Sequence, residues 1–361
     1  MVDHSYDAAP GGAQRALLVP RDLPGPSGGL TYNQRVLEAW RKTGIEVAEV
    51  PVPGSWPCPS TADRRALARA LDGSPRVLVD GIIASAAPAE LAQAAAAGTE
   101  VAVLVHLPLP AESGLSLPEQ ARLAASERAA VHAAHVVVAT SGWARDDLQA
   151  RYGLRRVSVA EPGVDAAPLA TGSSPRRLLF LGALTPRKGP LLLLQVLREL
   201  TDHPWTAVIA GPDGPDPSYA EEVRAAAAGF PAGQVAVPGP LAGQMLEELW
   251  QSTDLLVLPS VAETYGMVVT EALAHGIPVL VGAGTGAEEA LVGVAPASRA
   301  SLATPGAALD PGAAEAWVQT LRRWFEDDTL RRRWQTAAGM HRARLRSWSQ
   351  AAQDLSTELH W

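Results

Sequence analysis

A length of 361 residues, 47% of them hydrophobic, and a formal charge of −8 place the chain among soluble globular proteins and exclude disordered and fibrous classes. At roughly 100–200 residues per domain, two domains are expected, each large enough to bury its own core. The acidic balance and the lack of any basic stretch argue against a nucleic-acid backbone as the main partner.

The basic residues are 28 Arg and only 2 Lys, Lys42 and Lys188, an imbalance that coding bias accounts for in an Ala-, Gly- and Pro-rich chain. The single cysteine, Cys58, cannot form an intrachain disulfide and stands in a Pro-flanked loop without metal-ligand spacing, which fits a reducing cytoplasm. Residues 1–12 lack the basic and apolar regions of a signal peptide. No apolar run approaches the roughly 20 residues of a membrane span. A cytoplasmic location without a membrane span is expected.

Along the first half, residues 16–19, 45–50, 76–79, 101–105 and 136–139 are continuous apolar or β-branched runs bounded by turn residues and read as buried strands. Helices are expected between them at 30–43, 61–71, 88–97, 118–134 and 142–152. Gly44, Gly73, Gly98 and Gly153 serve as left-handed stops. Small residues and Pro interrupt the pattern at 166–175 and mark an interdomain linker. The alternation restarts with strands at 178–181, 206–210, 234–237, 255–258 and 278–281, and helices at 190–200, 218–228, 241–251 and 264–275. The last 50 residues are helical, and their Trp317, Trp324, Trp334, Trp348 and Trp361 are assigned to helix packing. The pattern predicts an α/β chain of two doubly wound Rossmann-like parallel-sheet domains facing a cleft. Their bounds are 1–165 and 177–335, with 166–176 as linker and a C-terminal helix, 336–361, packing back on the first domain. Ligands of such sheets bind beyond the carboxyl ends of the strands.

Three strand-end loops carry chemistry. In 21–29 (RDLPGPSGG), Gly28 and Gly29 let backbone N–H groups approach an anion at a helix N-terminus, which suits a phosphate. The loop is not G-x-G-x-x-G, and no ribose-binding acid follows the second strand, which disfavours a nicotinamide cofactor. In 182–189 (GALTPRKG), Arg187 and Lys188 stand before a helix, where the dipole opposes cations unless an anion is bound, and a diphosphate would resolve that. In 259–273, Glu263 and Glu271 stand eight apart. Glu38/Glu46 and Glu119/Glu127 share that spacing, so it is context that singles out the third pair, which starts in the loop after an apolar strand and ends inside the next helix. Continued helically, eight residues return to within about 80° of the same face.

The order of Gly28-Gly29, His106 after a strand (VAVLVHLPLP), TSGWARDDL and VAEPGVD, G-x5-K-G and P-S-x-x-E-T-Y-G-x4-E-A-L-A-x-G-x-P-V resembles the retaining glycosyltransferases of family 4, which have the GT-B fold. The resemblance runs over nearly the whole chain and is most specific at 258–279. It implies an N-terminal acceptor domain and a C-terminal nucleotide-sugar donor domain. It further implies that Glu263, with the N–H groups of Thr264, Tyr265 and Gly266, holds the donor sugar, and that Glu271 holds the ribose hydroxyls. Lys188 and Arg187 would neutralise the diphosphate, joined by Gly28 and Gly29. Gly239, Pro240 and Leu241 would cradle the base, and His106 would touch sugar or acceptor. Ala183 departs from the Arg that family members usually carry there, with Arg187 as its substitute, and 285–289 (TGAEE) departs from the frequent Gly-Gly-x-x-Glu.

The resemblance implies transfer of a hexose, with retention, from a UDP- or GDP-sugar to a hydroxyl, and metal independence and a soluble small-molecule acceptor, a natural product or sugar, are expected with it. No prosthetic group and no metal ligand are expected. A GT-B nucleotide-sugar epimerase and a non-catalytic nucleotide-sugar-binding protein are the alternatives.

Overall fold

The computed structural model describes residues 13–23, 27–112, 114–214, 216–293 and 303–361, so the reading of residues 1–12 and of 24–26 in the first Gly-rich loop lies outside the described residues. The chain divides into two compact units, one within Met1–Gly163 and Trp348–Trp361 and the other Val164–Ser347.

The first unit runs β1 (Arg15–Pro20), α1 (Gly28–Thr43), β2 (Ala48–Val52), α2 (Thr61–Leu71), β3 (Arg76–Asp80), α3 (Gly81–Ala84), α4 (Pro88–Ala96), β4 (Glu100–Val105), α5 (Leu117–Ala133), β5 (Val136–Ala139), α6 (Gly142–Tyr152) and β6 (Ser158–Val159). All strand pairs are parallel, in the order β2-β1-β3-β4-β5-β6. Strands this apolar are stable only when covered on both faces, and Val77, Leu78, Val79, Val103 and Leu104 are fully buried. The helix after β1 starts at Gly28, two residues earlier than expected, because the Ser27 hydroxyl accepts the Leu30 N–H at 3.2 Å. It ends on left-handed Gly44, and the Ile45 N–H donates back to Trp40 O at 3.0 Å. That cap delays the second strand from 45 to Ala48. Gly98 and Gly153 also have positive φ, whereas Gly73 does not, because Asp72 closes α2 in right-handed geometry.

In the second unit the elements are β7 (Arg176–Leu181), α7 (Pro190–Arg198), β8 (Trp205–Ala210), α8 (Pro217–Ala228), β9 (Val235–Gly239), α9 (Gly243–Gln251), β10 (Leu255–Leu258), α10 (Met267–Ala274), β11 (Val279–Gly282), α11 (Gly286–Val292), β12 (Gly306–Leu309), α12 (Ala314–Glu326) and α13 (Asp328–Arg342). Its parallel sheet has the order β12-β11-β10-β7-β8-β9. Trp317, Trp324 and Trp334 are buried in this unit's core, Trp317 and Trp324 seven residues apart on one face of α12.

The supposed linker at 166–176 is part of the second unit. The Ala170 N–H donates to His275 O, Thr171 and Gly172 donate to Gln251 O, and Asp254 Oδ2 accepts from the Ser173 and Arg177 N–H groups. Small side chains bury little surface, but hydrogen bonds fasten this segment to the ends of α9 and α10 and to the start of β10. The expected boundary at 335/336 also moves, because α13 continues through it to Arg342. Only α14 (Trp348–Leu359) is grouped with the first unit, where the Trp40 indole donates to Ala352 O at 3.0 Å and Ser356 Oγ at 2.7 Å.

Candidate functional site

In the second sheet the chain runs from β7 through β8 to β9 and then returns to place β10 on the other side of β7, with Leu255 opposite Leu178. The loops after β7 and β10 are therefore neighbours at the topological switch point, where open α/β sheets bind ligands. Lys188 is on the first loop and Glu263 on the second.

The first loop tightens into a 3-10 turn, Pro186–Lys188, and passes through left-handed Gly189 into α7. A Cβ on Gly189 would sit 2.5 Å from Pro259 O, so glycine is required both by φ and by the approach of the β10 loop. The Val261 N–H donates to Arg187 O at 2.8 Å, tying the two loops together. Across this seam the Lys188 ammonium donates to Glu263 Oε2 in an ion pair whose side chains are only 15% and 10% exposed. The Arg187 guanidinium donates to Ala262 O at 3.0 Å, one residue from Glu263. Burial alone would raise the Glu263 pKa, but the charges of Lys188 and Arg187, with the hydrogen bond from Lys188, hold it below the ordinary glutamate value. Among the described residues, Ser260 Oγ, like Thr185 Oγ1, is buried without a hydrogen-bond partner.

The expected helix at 264–275 begins only at Met267, because left-handed Gly266 (φ +80°) interrupts it. Glu263 is thus in a bend four residues before the helix, and the 80° argument for a shared face with Glu271 does not apply. Glu263, Thr264 and Tyr265 are buried, while Glu271 is half-buried in the second turn of α10. Gly239, with positive φ, Pro240 and Leu241 leave the edge strand β9, two strands from β7 at the same carboxyl edge.

In the first unit, Gly28 and Gly29 open α1 after β1, and His106 follows β4. Gly29 is required there by contact, since its Cβ would stand 2.9 Å from His106 Cδ2. The imidazole Nε2 lies 3.0 Å from Asn33 Oδ1 and 3.5 Å from Asp80 Oδ2. Asn33 and Asp80 belong to none of the motifs read from the sequence. The Val-Asp-Gly run closing β3 was the only available signal for Asp80. Among the described residues no group of three His, Cys, Asp or Glu could hold a metal ion, and no helix is long and apolar enough to cross a membrane.

Two parallel six-stranded units, with a cation–carboxylate pair at one switch point and a histidine at a strand end of the other, define the GT-B class. The glycosyltransferase family 4 profile matches residues 23–167 and the profile of glycosyl transferases group 1 matches 165–340. The chain belongs to the family 4 glycosyltransferases. The D-inositol 3-phosphate glycosyltransferase 1 of Catenulispora acidiphila is 31% identical over 205 residues, covering 51% of this chain and 48% of that protein. The D-inositol 3-phosphate glycosyltransferase of Salinispora tropica is 30% identical over 268 residues, 66% and 53% of the two chains. The chain spans about half the length of these relatives. Among solved structures, Anabaena HepE in complex with UDP and glucose superposes with a TM-score of 0.75 at 16% identity, covering 97% of this chain and 100% of that one. Sucrose-phosphate synthase of Thermosynechococcus elongatus gives 0.73 at 16% identity, covering 95% and 97%.

Proposed function

We propose that the protein transfers a hexose from a nucleoside-diphosphate sugar to a hydroxyl of a soluble small molecule, with retention at the anomeric carbon and without a metal ion. The buried Lys188–Glu263 pair at the switch point of the second sheet is the observation that carries this reading. It supports this reading because a fixed cation suits a departing diphosphate and a carboxylate beside it can accept two hydrogen bonds from sugar hydroxyls. Arg187 supplies the second cation, in place of the residue that Ala183 lacks. Thr264, Tyr265 and Gly266 offer backbone groups to the sugar, Glu271 takes the ribose diol, and Gly239, Pro240 and Leu241 receive the base. Gly28 and Gly29 offer backbone N–H groups to a phosphate, and His106 offers its ring to a hydroxyl of the sugar or acceptor.

In this reaction the bond from the anomeric carbon to the diphosphate oxygen breaks and a bond to the acceptor oxygen forms on the same face. The acceptor proton passes to the diphosphate. Most of the rate comes from electrostatic stabilisation of the leaving group and from orientation. UDP is favoured over GDP because HepE is described with UDP and glucose, and a phosphorylated cyclitol heads the acceptor panel because the named relatives act on D-inositol 3-phosphate.

Thermal shift with UDP-, GDP-, ADP- and dTDP-sugars identifies the donor, since a ligand at 100 times its Kd stabilises by about 2.7 kcal/mol. Product NMR with an acceptor panel then reads the anomeric configuration, and an inverted product, or inversion of the donor at C2 without acceptor, rejects the reading. EDTA is expected to leave the transfer rate unchanged. Glu271→Ala is expected to raise the donor KM by about tenfold, as for loss of a charged hydrogen bond, with the acceptor KM little changed. The reverse pattern in initial-rate kinetics rejects the ribose role.

A further inference from the structure

At the carboxyl edge of the first sheet, the ends of β3 and β4 and the first turns of α1 bring together three polar side chains. Asp80 is 4% exposed. Its Oδ1 accepts the Ile82 N–H at 3.0 Å, capping α3, and its Oδ2 accepts from Asn33 Nδ2 at 2.6 Å. Asn33, buried on α1, has its other amide atom, Oδ1, 3.0 Å from His106 Nε2. Burial would raise the Asp80 pKa, but the hydrogen bonds that Asp80 accepts, from the Ile82 N–H and Asn33 as well as from the His106 side, hold it below the ordinary aspartate value, so the group is a carboxylate with both oxygens accepting.

The donor and acceptor identities then follow one from another. A carboxylate only accepts, so the Asn33 NH2 must face Asp80; the flipped amide would set two acceptor oxygens 2.6 Å apart. Asn33 Oδ1 therefore faces His106. An amide oxygen also only accepts, so Nε2 carries the proton, and in the neutral ring Nδ1 is bare. Among the described residues nothing hydrogen-bonds Nδ1. The ring is held by Tyr32, edge-on at 5.2 Å and 64°, and by the close approach of Gly29.

We propose that Asp80 and Asn33 are positioning residues that fix His106 as its Nε2–H tautomer, so that Nδ1 presents a lone pair to a hydroxyl of the sugar or acceptor. The hydroxyl role rests on the sugar-transfer reading above, whereas the tautomer rests on the hydrogen bonds alone.

The test uses the full chain labelled with ¹⁵N-histidine, with long-range ¹H–¹⁵N spectra at pH 8 and the His106 signals assigned by their loss in His106→Ala. The wild-type spectrum is expected to show Nε2 protonated and Nδ1 bare. Asp80→Asn keeps the Ile82 cap but frees Asn33 to flip, so an Nδ1–H population is expected to appear. Transfer kcat/KM is expected to fall about tenfold in Asp80→Asn, as for loss of one hydrogen bond. It should fall no further in Asp80→Asn/His106→Ala than in His106→Ala alone, a non-additivity that a merely structural role would not give. An Nδ1–H pattern in the wild-type protein overturns the proposal without need of any variant. Additive losses in the double variant overturn the positioning role. Absence of all sugar transfer by wild type, with the Nε2–H pattern intact, overturns the transfer reading and the hydroxyl role together while the tautomer assignment stands.

Discussion

Lys188→Ala is expected to lower turnover at saturating donor by about 10²–10³-fold, the usual loss when one fixed charge or donor is removed from a developing anion. It is also expected to lower the free energy of unfolding at pH 7 by about 3–5 kcal/mol, because Glu263 stays buried and charged without its partner. The two effects separate in Lys188→Ala/Glu263→Gln. With no charge left unpaired, much of the stability should return, while turnover should not. The pH dependence has a definite sign. The folded Glu263 pKa lies below its unfolded value, so its stabilising contribution is complete above the ordinary glutamate range and is lost as pH falls through the lowered folded value. In Lys188→Ala the burial effect is expected to prevail and raise the pKa, so the stability gap between variant and wild type should begin to narrow above the ordinary glutamate range, as pH falls through the variant's raised value, and go on narrowing below that range as wild-type Glu263 takes up its proton. Urea unfolding at pH 7 and pH 4, with kcat at saturating donor, reads both. Near-wild-type turnover in Lys188→Ala would reject the diphosphate role.

Lys188 is legible from its place in a strand-to-helix loop, and the order of strands and helices is legible because buried parallel strands are continuous apolar runs. Adjacency was not legible. Nothing in the residues between β7 and β10 says that the tenth strand returns beside the seventh, so the meeting of Lys188 and Glu263, 75 residues apart, needs the sheet order. The same holds for Asp80 and Asn33, 47 residues apart. Local errors had local causes. Gly266 looked like one more helix residue, and its left-handed φ takes Glu263 out of the helix. Residues 166–175 resemble a linker because side-chain bulk is what a sequence displays, whereas the backbone N–H groups of Ala170, Thr171, Gly172 and Ser173 and the hydroxyls of Thr171 and Ser173 make the hydrogen bonds that fasten the segment.

Gly286 shows the same gap between what a sequence displays and what the fold requires. It is the first residue of α11, its φ is not positive, and in sequence it belongs to a loop that departs from the frequent Gly-Gly-x-x-Glu. Its N–H donates to Glu263 O at 2.7 Å, and an added Cβ would lie 1.8 Å from Thr264 O and 2.3 Å from its carbonyl carbon. An ordinary carbon–oxygen contact is about 3.3 Å or more, so α11 or the 263–264 bend must move by over ~1 Å. The buried Ala287, Ala290 and Leu291 resist movement of the helix, which directs the displacement to the bend. Misplacement of about 1 Å can cost about 10²-fold in rate, and overpacking typically costs about 1–3 kcal/mol. Gly286→Ala is therefore expected to lower kcat/KM for the donor by about 10²-fold and to lower Tm. Gly339→Ala is the control: this glycine is exposed within α13 with nothing within 4 Å of an added Cβ, so alanine should stabilise by about 0.5–1 kcal/mol and leave kcat/KM unchanged. Donor kinetics and thermal melts of the two variants distinguish a glycine required by contact from one that merely occupies a helix, and an unchanged kcat/KM in Gly286→Ala would remove the Glu263–Thr264 backbone from the donor site.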